Sequence, residues 1–126
     1  YFSVPLFFFI FLFAYSEMNK GGKKIEPNEL TRLVNKESAI LIDLRKKEDY
    51  ENGHIMTAMN YPHQEFDNQM HELEKFKDRP IILVCDMGRN SANIGEKLKK
   101  SEFEKTFRLN GGMMTWTQEN LPVVQK

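Results

Sequence analysis

Ile81-Ile82-Leu83-Val84-Cys85-Asp86-Met87-Gly88-Arg89-Asn90-Ser91 is the stretch whose reading decides the fold. Its first four residues are branched and apolar with no polar alternate, so they read as a strand buried on both faces. The chain's one cysteine follows directly. Next comes a short loop containing Gly88, and then an expected helix over Ser91–Lys100. Ile94 and Leu98 face inward on that helix, and Ser91 is its expected N-cap. A strand, a tight loop and a helix in succession belong to parallel sheets, which bind ligands outside the carboxyl ends of their strands.

The flanking sequence repeats the pattern. Ala39-Ile40-Leu41-Ile42-Asp43-Leu44 is a second continuous apolar run, ending around an acid. Before it, Pro27–Asn35 is an amphipathic helix, with proline near its start and Leu30, Leu33 and Val34 on one face. Lys46–Asn52 reads as a helical turn closed by Gly53, and a short strand precedes the break at Tyr61-Pro62. Gln64–Phe76 carries Phe66, Met70, Leu73 and Phe76 at helical spacing, which predicts a surface helix. Beyond the turn at Asp78-Arg79-Pro80 and the central strand lie a strand within Lys105–Leu109 and a sharp turn at Asn110-Gly111-Gly112. A last helix over Met113–Asn120 contains Trp116 and ends at Leu121-Pro122. Strands alternating with helices predict an α/β domain, a parallel sheet flanked by helices.

Length and charge set limits. The 126 residues suffice for one compact domain. Eighteen basic and 18 acidic side chains balance, so no electrostatic footprint for nucleic acid is present. One cysteine excludes an internal disulfide, and His54, His63 and His71 fit no metal-ligand spacing.

The apolar residues are unevenly spread. Residues 1–16 carry no charge and are dominated by Phe, Leu and Ile, and the sequence does not begin with methionine. The expectation is an N-terminal hydrophobic helix, cut short by a start inside a longer protein. It serves as a membrane anchor, for which about 20 apolar residues are needed. Lys20, Lys23 and Lys24 follow it, and basic flanks favour the cytoplasmic side. That predicts a single-pass inner-membrane protein with its domain in the cytoplasm. The competing reading is a cleaved signal peptide, with Ala14-Tyr15-Ser16 as the cleavage pattern and a periplasmic domain. Residues 17–25, with Gly21-Gly22 and three lysines, read as a flexible linker, and 26–126 as the folded domain.

Cys85 is the candidate nucleophile. A loop between strand and helix can turn its N–H groups inward, and a helix start adds partial positive charge. Such surroundings lower a thiol below its usual pKa of about 8.5 and raise the thiolate fraction. A lone cysteine ending an apolar strand is equally well a small buried hydrophobe. Position alone leaves the two readings even.

Several separated motifs resolve them, because together they resemble the rhodanese homology domain from about Glu26 to Gln125. Ile42-Asp43-Leu44-Arg45, Glu48-Asp49-Tyr50, Gly53-His54-Ile55, Ala58 and Asn60 resemble that family's first signature. Cys85–Ser91 matches its Cys-x-x-Gly-x-x-Ser loop, and Leu109-Asn110-Gly111-Gly112, Trp116 and Leu121-Pro122-Val123 resemble its C-terminal signature. An apolar N-terminus before a single such domain is similar to the membrane-anchored rhodanese-like proteins of Gram-negative bacteria.

The resemblance implies a sulfurtransferase or sulfur carrier of thiosulfate sulfurtransferase type, needing no cofactor. Cys85 takes a sulfane sulfur from a small anionic donor such as thiosulfate, as a persulfide, and passes it to a thiol or cyanide acceptor. Asp86, Met87, Gly88, Arg89, Asn90 and Ser91 would bind the substrate, their amides from Met87 to Ser91 forming the cradle. Asp43 and Arg45 would tie the loop after the first strand, and His54 would pack nearby. Two departures stand out: Asp86 occupies a position where the family often has a basic residue, and Thr57 stands where a glycine is frequent. A carboxylate beside Cys85 disfavours thiolate and repels an anionic donor if it points inward.

A membrane-tethered interaction module, docking a membrane or secretion protein with little turnover, is the reading from another class. A Cys-x5-Arg phosphatase or arsenate reductase is disfavoured, since Ser91 stands where the arginine would be.

Overall fold

The computed structural model describes residues 22–86, 89–103 and 105–125, with the backbone alone for 89 and 90. The strands among them are β1 (Lys23–Ile25), β2 (Ile40–Asp43), β3 (Met59–Asn60), β4 (Ile81–Val84) and β5 (Thr106–Leu109). They pair in the order β1-β5-β4-β2-β3, every pairing parallel. The helices are α1 (Pro27–Glu37), α2 (Lys47–Asn52), α3 (Phe66–Gln69), α4 (Arg89–Lys100) and α5 (Gly112–Gln118).

The two apolar runs lie side by side at the centre, Ile40 opposite Ile81 and Asp43 opposite Val84, and every residue of both strands is buried. Successive side chains on a strand point to opposite faces. Leu41, Ile82 and Val84 therefore meet Leu30 and Leu33 of α1 and Met113 and Trp116 of α5 on one side. Ile40, Ile42, Ile81, Leu83 and Cys85 meet Phe66, Leu73, Ile94, Leu98 and Phe103 on the other. This is an α/β domain with helices on both faces of a parallel sheet. No helix among the described residues is long and apolar enough to cross a membrane, and the expected anchor at 1–16 lies outside them.

Helix boundaries follow local chemistry. Pro27 opens α1, where its missing N–H costs nothing. Ser38 ends it in the left-handed conformation and donates its N–H to the Leu33 carbonyl.

Four sequence expectations need correction. Lys23–Ile25, inside the stretch read as linker, is an edge strand. Two of its three side chains are exposed lysines, so the composition looks like linker while the backbone pairs with β5. Gln64–Phe76 is not one helix. A 3-10 turn over His63–Glu65, α3 and a 3-10 segment over Met70–Phe76 replace it, and none of the three has a side-chain cap. Phe66 and Leu73, both wholly buried, pin this polar segment at two points, and that anchoring sets its path. Ser91 is not an N-cap, because α4 already begins at Arg89. The last helix starts one residue early, at Gly112, and ends at Gln118.

Thr57 holds a positive φ of 74°, in the turn closed by the Ala58 N–H to Ile55 carbonyl bond at 3.0 Å. A β-branched residue is strained there, which explains why a glycine suits the position. Thr57→Gly is expected to raise the free energy of unfolding by about 1 kcal/mol, read from the urea midpoint. A lowered midpoint would show that the Thr57 side chain contributes more than its backbone costs.

Candidate active site at the end of the central strand

β4 ends at Val84, so Cys85 is the first residue beyond the sheet's carboxyl edge. It is 3% exposed and packs with Leu83 and Ile94 beneath α4. Its backbone is fixed from the opposite face. The first N–H groups of a helix have no partner within it. In α5 those of Met113 and Met114 donate to the carbonyls of Cys85 (2.7 Å) and Asp86 (3.0 Å). The approach is too close for a side chain at Gly112. A Cβ there would sit 2.1 Å from the Cys85 carbonyl oxygen, and φ is +59°.

α4 opens at Arg89 with 12 residues of helix, so its partial positive charge lies just past the loop that follows Cys85. Ser91 sits in the first turn of α4 and is buried. Asp86 is exposed. Met87, Gly88 and the side chains of Arg89 and Asn90, named with them as substrate-binding candidates, lie outside the described residues.

Asp43 and Arg45 form a bidentate pair at the neighbouring strand end. Arg45 Nε lies 3.0 Å from Asp43 Oδ1, and Nη2 lies 2.8 Å from Oδ2. The Arg45 N–H also reaches Oδ1 (2.9 Å), and Nη2 donates to the Gly53 carbonyl (2.6 Å). Asn60 adds bonds to the carbonyls of Asp43 and Arg45. Buried charges persist when paired and hydrogen-bonded in this way, and removing one partner strands the other.

His54 belongs to the same scaffold. Its ring stacks on Tyr50 at 3.8 Å, its Nδ1 meets the Tyr50 carbonyl at 2.8 Å, and its backbone bridges to Val124. Burial, and then the Asp43 charge, push the Tyr50 phenol above its ordinary value. It stays a hydroxyl donor to the Ala58 carbonyl (2.5 Å).

A crevice of about 520 Å³ opens beside Asp86. Arg45, Asp49, Gly53, Met113 and Thr117 complete most of its wall. A larger depression of about 840 Å³, over Lys46, Tyr50, Asn60 and Gln64, borders neither Cys85 nor Asp86. Among the described residues no group of three or more His, Cys, Asp or Glu is placed to hold a metal.

The sequence reading passed over two features of this region. The Gly112–Met114 backbone shows only as a turn signal in the sequence, because its partners lie far back in the chain. Arg108 reads as one polar residue in a strand, yet it is 5% exposed and donates from Nε to the Gly22 carbonyl at 3.2 Å. Burial pushes its guanidinium below the ordinary value, opposed by attraction from Cys85 and then from Glu96. A charged residue inside a buried strand was the available signal.

A parallel sheet covered by helices on both faces, with one cysteine at the carboxyl end of its central strand, defines an α/β domain. The chain belongs to the rhodanese-like domain family, whose model matches residues 26–119. It is 35% identical over 123 residues to the uncharacterized protein YibN of Escherichia coli K12, covering 97% of this chain and 86% of that protein. It is 28% identical over 98 residues to the thiosulfate sulfurtransferase GlpE of Shewanella oneidensis, covering 78% of this chain and 95% of that one. Its fold matches a rhodanese-related protein from Thermoplasma volcanium with a TM-score of 0.74 at 24% identity, over 82% of this chain and 99% of the other.

Gly112→Ala is expected to lower the free energy of unfolding by about 2 kcal/mol or more, through strain at positive φ and the clash with Cys85. Urea denaturation measures it, and an unchanged midpoint would refute a steric requirement for glycine.

Proposed function

We propose that the domain is a sulfurtransferase or sulfur carrier working through a persulfide on Cys85. The observation that carries this reading is the placement of Cys85. It ends a buried strand, its carbonyl is pinned by α5, and the start of α4 lies just beyond its loop. The kinship with thiosulfate sulfurtransferases supports it.

In the first step the Cys85 thiolate attacks the outer sulfur of a donor such as thiosulfate. The donor's S–S bond breaks, and sulfite leaves with the electron pair. In the second step an acceptor thiolate, or cyanide, attacks the terminal sulfur, and Cys85 departs as thiolate. Loop amides from Met87 to Ser91, together with the α4 terminus, would stabilise the anionic sulfur in both steps. The Asp43–Arg45 pair and His54 hold neighbouring loops and take no part in the bond changes.

The test is intact-mass measurement of reduced protein after incubation with thiosulfate, mercaptopyruvate or polysulfide, beside Cys85→Ser. The expected gain is one sulfur atom, absent in the variant and removed by cyanide. No gain with any donor would sink the sulfurtransferase reading and promote the tethered interaction module.

The apolar residues 1–16 are further proposed as a membrane anchor, with the domain on the cytoplasmic side. The lysines that follow them support this orientation. A reporter fused after Lys126 is expected to be active only as a cytoplasmic fusion, and periplasmic activity would reverse the topology.

A further inference from the structure

The crevice bordered by Asp86 is lined by two carboxylates. Asp86 follows Cys85 directly in the chain, and Asp49 comes from the first turn of α2. Both are exposed, and neither has an ion-pair partner among the described residues. The cation described in the same wall is already committed. Arg45 is held by Asp43 and the Gly53 carbonyl, with its side chain 9% exposed. Asp86 has little freedom to move away at the backbone, because its carbonyl accepts the Met114 N–H.

We propose that Asp86 is a specificity-determining residue for the acceptor half-reaction. It selects thiols flanked by positive charge, such as a cysteine next to lysine or arginine, and rejects anionic thiols. This rests on the persulfide reading above. In the step concerned the acceptor thiol first loses its proton to solvent, and its thiolate attacks the outer sulfur of the Cys85 persulfide. The bond between that sulfur and Cys85 Sγ breaks, and its electron pair stays on Cys85 as thiolate. The acceptor sulfur is oxidised to a persulfide and Cys85 is reduced, so no further oxidant enters. A carboxylate at the mouth lowers the energy of a cationic acceptor as it arrives and raises that of an anionic one. Asp49, lining the same crevice, adds the same sign. Charges a few ångströms apart near a surface change rates severalfold, and the effect is screened by salt.

Two measurements test this, one of them independent of sulfur loading. Persulfide-loaded protein is discharged by cysteamine, 2-mercaptoethanol or thioglycolate, followed by intact mass. Unloaded protein is mixed with cystamine or dithiodiglycolate, and mixed-disulfide formation at Cys85 is followed in the same way. The cation-to-anion rate ratio is expected to fall about threefold to tenfold in Asp86→Asn and further in Asp86→Lys. Asp49→Asn lowers it less, and raising salt to about 0.5 M collapses the wild-type ratio towards those of the variants. Equal ratios in wild type, Asp86→Asn and Asp86→Lys, in either measurement, would overturn the assignment. Cys85 that takes no sulfur from any donor sinks the persulfide reading instead, and the disulfide arm still reads the role of Asp86.

Discussion

Double-sided burial of β4 is the constraint on which the rest of the molecule depends. A strand with apolar side chains on both faces needs a cover on each, and α1 with α5 and α4 with the Phe66–Leu73 segment provide it. Parallel neighbours on both edges then satisfy its backbone. Once β4 is enclosed in this way, the chain can meet solvent only at the strand's ends. Cys85 occupies the carboxyl end, with its side chain still in the core and its successor already outside. Position in the sheet sets this cysteine at the boundary between the core and the exposed Asp86.

Precision at that strand end comes from a division of labour. Backbone hydrogen bonds from α5 fix where Cys85 and Asp86 lie. The buried Asp43–Arg45 pair fixes the adjacent loop and, through the Gly53 carbonyl, the end of α2. That pair is neutral as a unit, so it supplies rigidity while leaving the crevice's charge to the exposed carboxylates. Scaffold and surface charge therefore rest on different residues, the buried pair below and the exposed Asp86 and Asp49 at the crevice.

Much of this was legible in the sequence, for physical reasons that vary along the chain. β2 and β4 announce themselves because double burial demands uninterrupted apolar runs. α1 shows because Leu30 and Leu33 repeat at helical spacing. β1 was hidden, since an edge strand is held by backbone bonds that leave no trace in side-chain pattern, and exposed lysines are ordinary there. Met70–Phe76 misled because the same apolar spacing serves an α-helix and a 3-10 segment anchored at Leu73. In the site, Cys85 and Asp43 with Arg45 stood out as residue types in place. The contact that forbids a side chain at Gly112 joins residues far apart in sequence, and only the folded chain reveals it.

The parallel arrangement also gives the domain a polarity. β1 runs in the same direction as β4, so the chain enters the sheet at Gly22, at the amino edge, while Cys85 leaves from the edge opposite. The first described residue and the strand end that carries Cys85 thereby lie at opposite edges of the sheet. The exposed Asp86, next after the buried Cys85, lies at the carboxyl edge, across the sheet from Gly22.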